Sequence, residues 1–235
     1  MIAGDLLDLA GHADLDTQIV VVLKYLDRIR NEVPLIVSSG NHDGDTTNPE
    51  DEFVAQWLQR ARRENLHVDG DSVTILDDLF TVCPWWDGPV TREAMRAFID
   101  GERQKPRKRW FWLHHAPPDQ SMVSWTGKEY FGDAHLNESI AAHSPQFIFS
   151  GHVHNYQRFA SALPSGAASS SGITEYVVGT GGEGLMTVTA TASPYPVASA
   201  VTFGYLRMTL QPAGWQAQFV DLHGQVLDTS SGTCH

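Results

Sequence analysis

Four times before Asn155, a short apolar run gives way to a turn that carries Asp, Asn or His. The turns are Gly4-Asp5-Leu6-Leu7-Asp8, Gly40-Asn41-His42-Asp43, Leu113-His114-His115-Ala116-Pro117 and Gly151-His152-Val153-His154. Strands that end this way limit the fold sharply. Open α/β sheets gather ligand-binding groups at the carboxyl ends of their strands, so four such turns can converge on one edge. Any one of these histidines alone reads best as a hydrogen-bonded structural residue. Four segments with the same placement do not.

The remaining pattern agrees with an α/β chain. Between Asp16 and Val33, the residues Ile19, Val22, Leu23, Leu26, Ile29 and Val33 recur at three and four. That spacing predicts an amphipathic helix, capped by Asp14 or Asp16 and ended by Pro34. Leu35-Ile36-Val37 reads as a buried strand running into Ser38-Ser39-Gly40. Asn48-Pro49 predicts the cap and first-turn proline of a second helix, with Phe53, Trp57, Leu58 and Ala61 on its inner face. Residues 72–76 and 79–83 form a hairpin joined by Asp77-Asp78. A helix over 91–103, a strand over 109–113, a short helix over 136–142 and a strand over 146–150 follow. Beyond Phe159, residues 161–172 make a Ser/Ala/Gly loop expected on the surface. Residues 174–178, 201–210 and 215–220 then read as strands. The expectation is one α/β domain of mixed sheets over residues 1–235.

Composition narrows the function. Of 235 residues, 28 are acidic and 16 are Lys or Arg, a net charge of -12 that argues against gripping phosphate backbones by bulk charge. A bound cation can still reverse the sign locally, so chemistry on phosphates stays open. The 11 histidines are well above ordinary usage. No apolar run approaches the roughly 18 residues of a transmembrane helix, so no membrane partner is expected. Cys83 and Cys234 leave open two thiols or one late bridge, and exclude a thiolate zinc cluster. The basic run Arg103, Lys105, Arg107, Lys108, Arg109 reads as a solvated turn rather than a nucleic-acid contact. Trp85, Trp86, Trp110, Trp112 and Trp125 read as core or pocket wall, with Trp85, Trp86 and Trp125 able to wall a pocket for a planar leaving group. No signal peptide precedes the first element, and localisation stays open between cytoplasmic and secreted.

Imidazole, carboxylate and amide oxygen without thiolate suit a borderline or harder divalent ion such as Mn, Fe or Zn. His152 and His154, two apart on an extended turn, project the same way and can serve a metal pair. These turns resemble those of the calcineurin-like metallophosphoesterase superfamily. The continuation Asn155-Tyr156-Gln157-Arg158, then Tyr176 to Gly182 and Phe203-Gly204-Tyr205-Leu206-Arg207, resembles its purple-acid-phosphatase-like branch. The resemblance covers essentially the whole chain. It implies a four-layer αββα sandwich, two mixed β-sheets flanked by helices, with a two-metal site at the strand ends.

Carried over position by position, the resemblance makes Asp5 the carboxylate that bridges two metals. Asn41, His115 and His152 would complete one site, and His154 would belong to the other. His115 is preferred to His114 because the family's ligand stands two positions before a proline. His42 would contact the substrate phosphate or protonate the leaving oxygen, with Asp8 orienting it and Asn41 also touching substrate. Asp43 is expected to brace its loop. A tyrosine stands in purple acid phosphatases where Asp8 stands here, so a colourless enzyme is expected. The superfamily's opening Asp-x-His or Asp-x-Gly strand has no counterpart, because the chain begins at the second motif; His12 and Asp14 read as loop and cap residues. One site thus keeps four protein ligands and the other two, so one metal is expected to bind well and the second weakly. The function implied is metal-dependent hydrolysis of small phosphomonoesters or phosphodiesters, in which the cations hold a hydroxide for in-line displacement. The alternatives are a metal-binding but catalytically impaired domain with an interaction role, and a nuclease or cyclic-nucleotide phosphodiesterase.

Overall fold

The computed structural model describes residues 1–119, 132–182, 184–188 and 196–233. The chain divides into two compact units, Met1–His115 and Ala116–His235. It is a mixed α/β fold of several sheets flanked by helices. Along the first unit run β1 (Ile2–Ala3), α1 (Leu15–Arg30), β2 (Leu35–Ser38), β3 (Thr46–Thr47), β4 (Phe53–Val54), α2 (Gln56–Arg60), β5 (Leu66–His67), β6 (Ser72–Ile75), β7 (Asp78–Val82), α3 (Pro89–Glu102) and β8 (Arg109–Leu113).

In the first unit, β1, β2 and β5 form a parallel sheet with β2 in the middle. Helix α1 starts at Asp14, whose carboxylate accepts from the Thr17 amide at 2.8 Å and satisfies one of the donors a helix leaves open. It turns Leu26 into a core shared with Leu35, Val37, Trp57, Leu58 and Leu66, and Ile19, Val22 and Leu23 pack against that core from the side. β6 and β7 make the expected hairpin, and β7 pairs in parallel with β8. Both β7 and β8 are buried along their whole length, as the apolar runs require.

Two expectations fail here. The Asn48-Pro49 segment opens no helix: Asn48 Oδ1 accepts from the amides of Glu50 and Glu52 at 3.0 and 2.9 Å, and that side-chain turn closes a hairpin of β3 and β4. Phe53 therefore sits on a strand and is exposed, and helix α2 is only five residues long, with Trp57 and Leu58 buried. Arg109 is not in a solvated turn either. It is buried, and its guanidinium makes two hydrogen bonds to Asp78, 2.6 and 2.5 Å, at the first residues of the paired strands β7 and β8. A buried charge survives only when paired in this way. Arg107 lies 4.0 Å over the ring of the core residue Trp110, while Arg103, Lys105 and Lys108 are exposed in the turn before β8, as expected.

The second unit contains α4 (Ala134–His143), β9 (Phe147–Ser150), β10 (Tyr156–Arg158), β11 (Thr174–Val178), β12 (Ala198–Ala200), β13 (Gly204–Gln211), β14 (Gly214–Asp221) and β15 (Val226–Thr233). Four of its strands run in the order β9-β11-β10-β12, parallel between β9 and β11 and antiparallel beyond. The antiparallel sheet β13-β14-β15 covers their aromatic face: Phe147 meets Trp215 edge-on at 5.1 Å, and Tyr156 stacks on Phe219 at 4.1 Å. Arg158 and Tyr156 both hydrogen-bond to Asp228 across the same layer. Residues 161–172 form a largely exposed loop, as expected. Trp125 and Cys234 lie outside the described residues; Cys83 is buried. Among the described residues no helix is long and apolar enough to cross a membrane.

Candidate metal centre

The centre of the first unit begins with two glycines that face each other. Gly4 follows β1 with φ of 69°, and Gly40 follows β2. A Cβ on Gly4 would lie 2.6 Å from both the Gly40 amide nitrogen and His115 Nδ1; one on Gly40 would lie 2.3 Å from Asp5 Oδ1. Only bare backbone lets the two strand ends come this close. The approach turns Asp5, itself at φ of 53°, toward the end of β8. There Asp5 Oδ2 lies 3.0 Å from His115 Nε2, and Asn41 Oδ1 lies 3.1 Å from the same nitrogen.

His115 is almost fully buried, and its other nitrogen, Nδ1, donates to the Ala3 carbonyl at 2.6 Å. A carbonyl can only accept, so this bond fixes the ring and turns Nε2 toward two oxygens. Carboxylate, amide oxygen and imidazole thus converge on one point, a donor set that a Mn, Fe or Zn ion fits. Burial works against the charge of Asp5. The hydrogen bond and charge of His115, and the His42 amide 3.1 Å from Asp5 Oδ1, outweigh it and hold the carboxyl below its ordinary range.

Two further carboxylates hold the loop that carries Asn41 and His42. Asp43 is buried and accepts from the amides of Leu6 and Leu7 with Oδ1, at 2.8 and 3.1 Å, and from Gly40 with Oδ2 at 2.8 Å. It braces both turns at once, as expected. Burial is the chief reason its carboxyl is pushed up to about 6, with the charge of Asp5 adding to it against the pull of the amides. Asp69 accepts from the Ser39 amide at 2.8 Å and from the Ser39 hydroxyl, and burial pushes it up to about 7. Consecutive amides at the end of β2, Ser39 and Gly40, are each gripped by a different buried carboxyl.

The other expected residues fall as follows. His42 is half-buried; its amide donates to Asp5 Oδ1, and the charge of its side chain also helps to lower the Asp5 carboxyl. Asp8 is exposed, and its carboxylate accepts from the Ala10 amide inside its own loop. His114 is fully buried at the end of β8, so His115 is the member of the pair that meets Asp5 and Asn41. In the second unit, His152 follows β9 at φ of 58° and is half-buried. His154 is half-buried too; its Nδ1 donates to the Gly184 carbonyl at 3.0 Å, leaving Nε2 as the lone-pair nitrogen. Asn155 Nδ2 bonds the Met186 carbonyl and the Met186 amide bonds the His154 carbonyl, which ties the glycine-rich segment to this histidine.

Residues 1–156 match the calcineurin-like phosphoesterase family. The chain belongs to that family. Among solved structures, purple acid phosphatase PPD1 from yellow lupin (Lupinus luteus) seeds is similar with a TM-score of 0.66 at 16% identity, over 90% of this chain and 44% of that one. The chain thus spans less than half the length of the lupin protein. GAP50, the anchor in the inner membrane complex of Plasmodium, is similar with a TM-score of 0.52 at 11% identity, over 100% of this chain and 88% of that one. At such identities the likeness is one of fold. No curated protein matches the sequence.

In this family member, sequence reasoning missed Asp69 and the Ala3 carbonyl. Val68-Asp69-Gly70-Asp71 follows a strand and has the turn character of the four motif segments, which is the signal that was there to find. The carbonyl leaves no signature in a side chain.

Proposed function

We propose that the chain hydrolyses small phosphomonoesters or phosphodiesters with the help of a divalent cation, Mn, Fe or Zn. The observation that carries this reading is the convergence of Asp5 Oδ2 and Asn41 Oδ1 on His115 Nε2 while Nδ1 is committed to Ala3. A cation held there supplies positive charge for phosphoryl oxygens and makes a bound water more acidic. In this proposal His152 is a further ligand of that ion, and His154 with Asp5 offers a second, poorer position, so the 235-residue chain holds one ion well.

The protein's own groups do the rest. Asn41 orients the phosphoryl group from the end of β2. His42 gives a proton to the departing oxygen, and Asp8 is its carboxylate partner. Asp43 and Asp69 keep the loop from moving as charge shifts, which is the preorganisation that electrostatic catalysis needs.

The test is turnover of p-nitrophenyl phosphate and of its bis ester with added Mn. We expect hydrolysis of at least one, its loss in His115→Ala, and a fall of about 100-fold or more in His42→Ala. Metal-loaded protein that turns over neither ester would sink the reading. A His42→Ala protein with full activity would remove His42 from the mechanism. If Asp8 acts through His42, Asp8→Ala costs little in a His42→Ala background. GAP50, named for anchoring, supports one second reading, a metal-binding fold without catalysis. That reading expects Mn binding with no turnover.

A further inference from the structure

The pair of parallel strands β9 and β11 in the second unit has two faces of different character. Phe147 and Tyr176 point to the layer β13-β14-β15, where Phe147 meets Trp215 and the Tyr176 hydroxyl bonds that of Ser230 at 2.8 Å. Side chains alternate along a strand, so Gln146, Ile148 and Ser150 on one chain segment, and Glu175 and Val177 on the other, point to the opposite face. The ladder fixes their order. Glu175 lies beside Ile148 and Val177 beside Ser150, and the Thr174 amide bonds the Gln146 carbonyl, which carries the pairing one residue further. Gln146 and Ser150 are thus the two diagonal neighbours of Glu175, a separation within reach of a long side chain.

On this face Glu175 Oε1, both amide atoms of Gln146 and Ser150 Oγ are buried without a hydrogen-bond partner among the described residues. Gln146 is 8% exposed and Ser150 is 1% exposed. Their surroundings are apolar. Ile148 is buried beside Glu175, and Phe159, whose amide donates to the Glu175 carbonyl, packs on the cluster of Val153 and Val177. Burial alone pushes the Glu175 carboxyl up, to about 8, with no contribution from a charged neighbour among the described residues.

One orphaned polar atom in a core is simply a cost. Oxygens of three residues on one face, a carboxylate among them, make a donor set. Carboxylate, amide and hydroxyl oxygens are hard ligands and suit a hard cation, unlike the donors around His115, which include nitrogen. The charge count selects the cation. One carboxylate cancels one positive charge, whereas a divalent ion leaves an excess charge in apolar surroundings.

We propose that Glu175, Gln146 and Ser150 bind a monovalent alkali cation, sodium or potassium, on the face of β9 and β11 turned away from β13-β14-β15. The ion takes the place of the proton on Glu175 and is also met by the Gln146 side-chain carbonyl and Ser150 Oγ. It ties β9 to β11, and β9 runs directly into the turn that carries His152 and His154.

The experiment follows thermal unfolding at pH 8.5 with EDTA present, which withholds divalent ions from the first unit. Sodium or potassium chloride replaces choline chloride at constant total salt, so that screening stays fixed. We expect Tm to rise by about 4 °C for each tenfold increase in one of the two alkali ions once binding begins to saturate. Glu175→Gln should lose this dependence, and Gln146→Met should lose roughly half of it. The sodium NMR line should broaden with the wild type and stay narrow with Glu175→Gln. A Tm equal in choline and in both alkali chlorides overturns the inference, and so does a wild-type response in Glu175→Gln. Should Glu175→Gln not fold, Gln146→Met and Ser150→Ala carry the test, and a full wild-type response in both overturns it.

Discussion

Asp43 and Asp69 in the first unit and Glu175 in the second are carboxyl groups buried in opposite ways. In the first, Asp43 and Asp69 each take backbone amides at the root of the candidate centre, so burial is offset by hydrogen bonds that also fix a loop. In the second, Glu175 on β11 has a buried Oε1 with no hydrogen-bond partner among the described residues, and burial pushes its carboxyl up to about 8. The first arrangement spends stability on position. The second keeps a neutral acid near pH 7 and positions nothing described. Burial alone therefore does not mark a functional carboxyl; what its oxygens accept from, and which loop those donors belong to, says more.

The largest effect should come from Asp43→Ala. It strands the amides of Leu6, Leu7 and Gly40 and frees both turns of the centre. We expect a loss of about 3 kcal/mol and a Tm lower by roughly 10 °C. Mn or Zn affinity measured by calorimetry should fall by about 100-fold. An Asp43→Ala protein that binds metal like the wild type would end the distinction between the units. Asp69→Ala should follow with about 2 kcal/mol and a tenfold loss in metal affinity, since it acts on Ser39 and reaches Asn41 only through the loop. Wild-type affinity in this variant would confine the bracing role to Asp43.

Glu175→Gln should be smaller and should depend on pH. The folded carboxyl titrates near 8, above its ordinary range near 4.5, so the folded state holds a proton that the unfolded chain has released. Stability then declines as pH rises from about 4.5 through 8. Gln removes that slope, so the variant should match the wild type near pH 5 and exceed it increasingly toward pH 9 in urea unfolding. Parallel pH profiles would show that Glu175 is solvated after all. Smallest should be the effect of His154→Ala on the first ion, less than about threefold in affinity, because this imidazole is proposed for the second position and its Nδ1 is committed to the Gly184 carbonyl.

The four polar turns were legible because each puts metal-binding side chains at a strand end, three of them beside a glycine and one before a proline, and that pattern is local. Helix α1 was legible for the same reason: its period and its Asp14 cap lie within one stretch. Asp69 was not, since its meaning depends on Ser39, 30 residues away. Strand β15 escaped as well. Its sequence, Val226 to Thr233, has little apolar alternation, and it is a strand because β14 offers it a full edge to pair with. Phe53 was misread when the Asn48-Pro49 signal for a helix start was answered by a side-chain turn into a hairpin.

The hydrogen bond from His115 Nδ1 to the Ala3 carbonyl joins positions 112 residues apart. Ala3 lies at the end of β1 and its partner follows β8, so nearly the whole first unit separates the two. Contacts that close so long a loop form late in folding. The donor set proposed for a cation is therefore complete only after β8 has docked, and under that proposal metal uptake would report a late step in the assembly of the first unit.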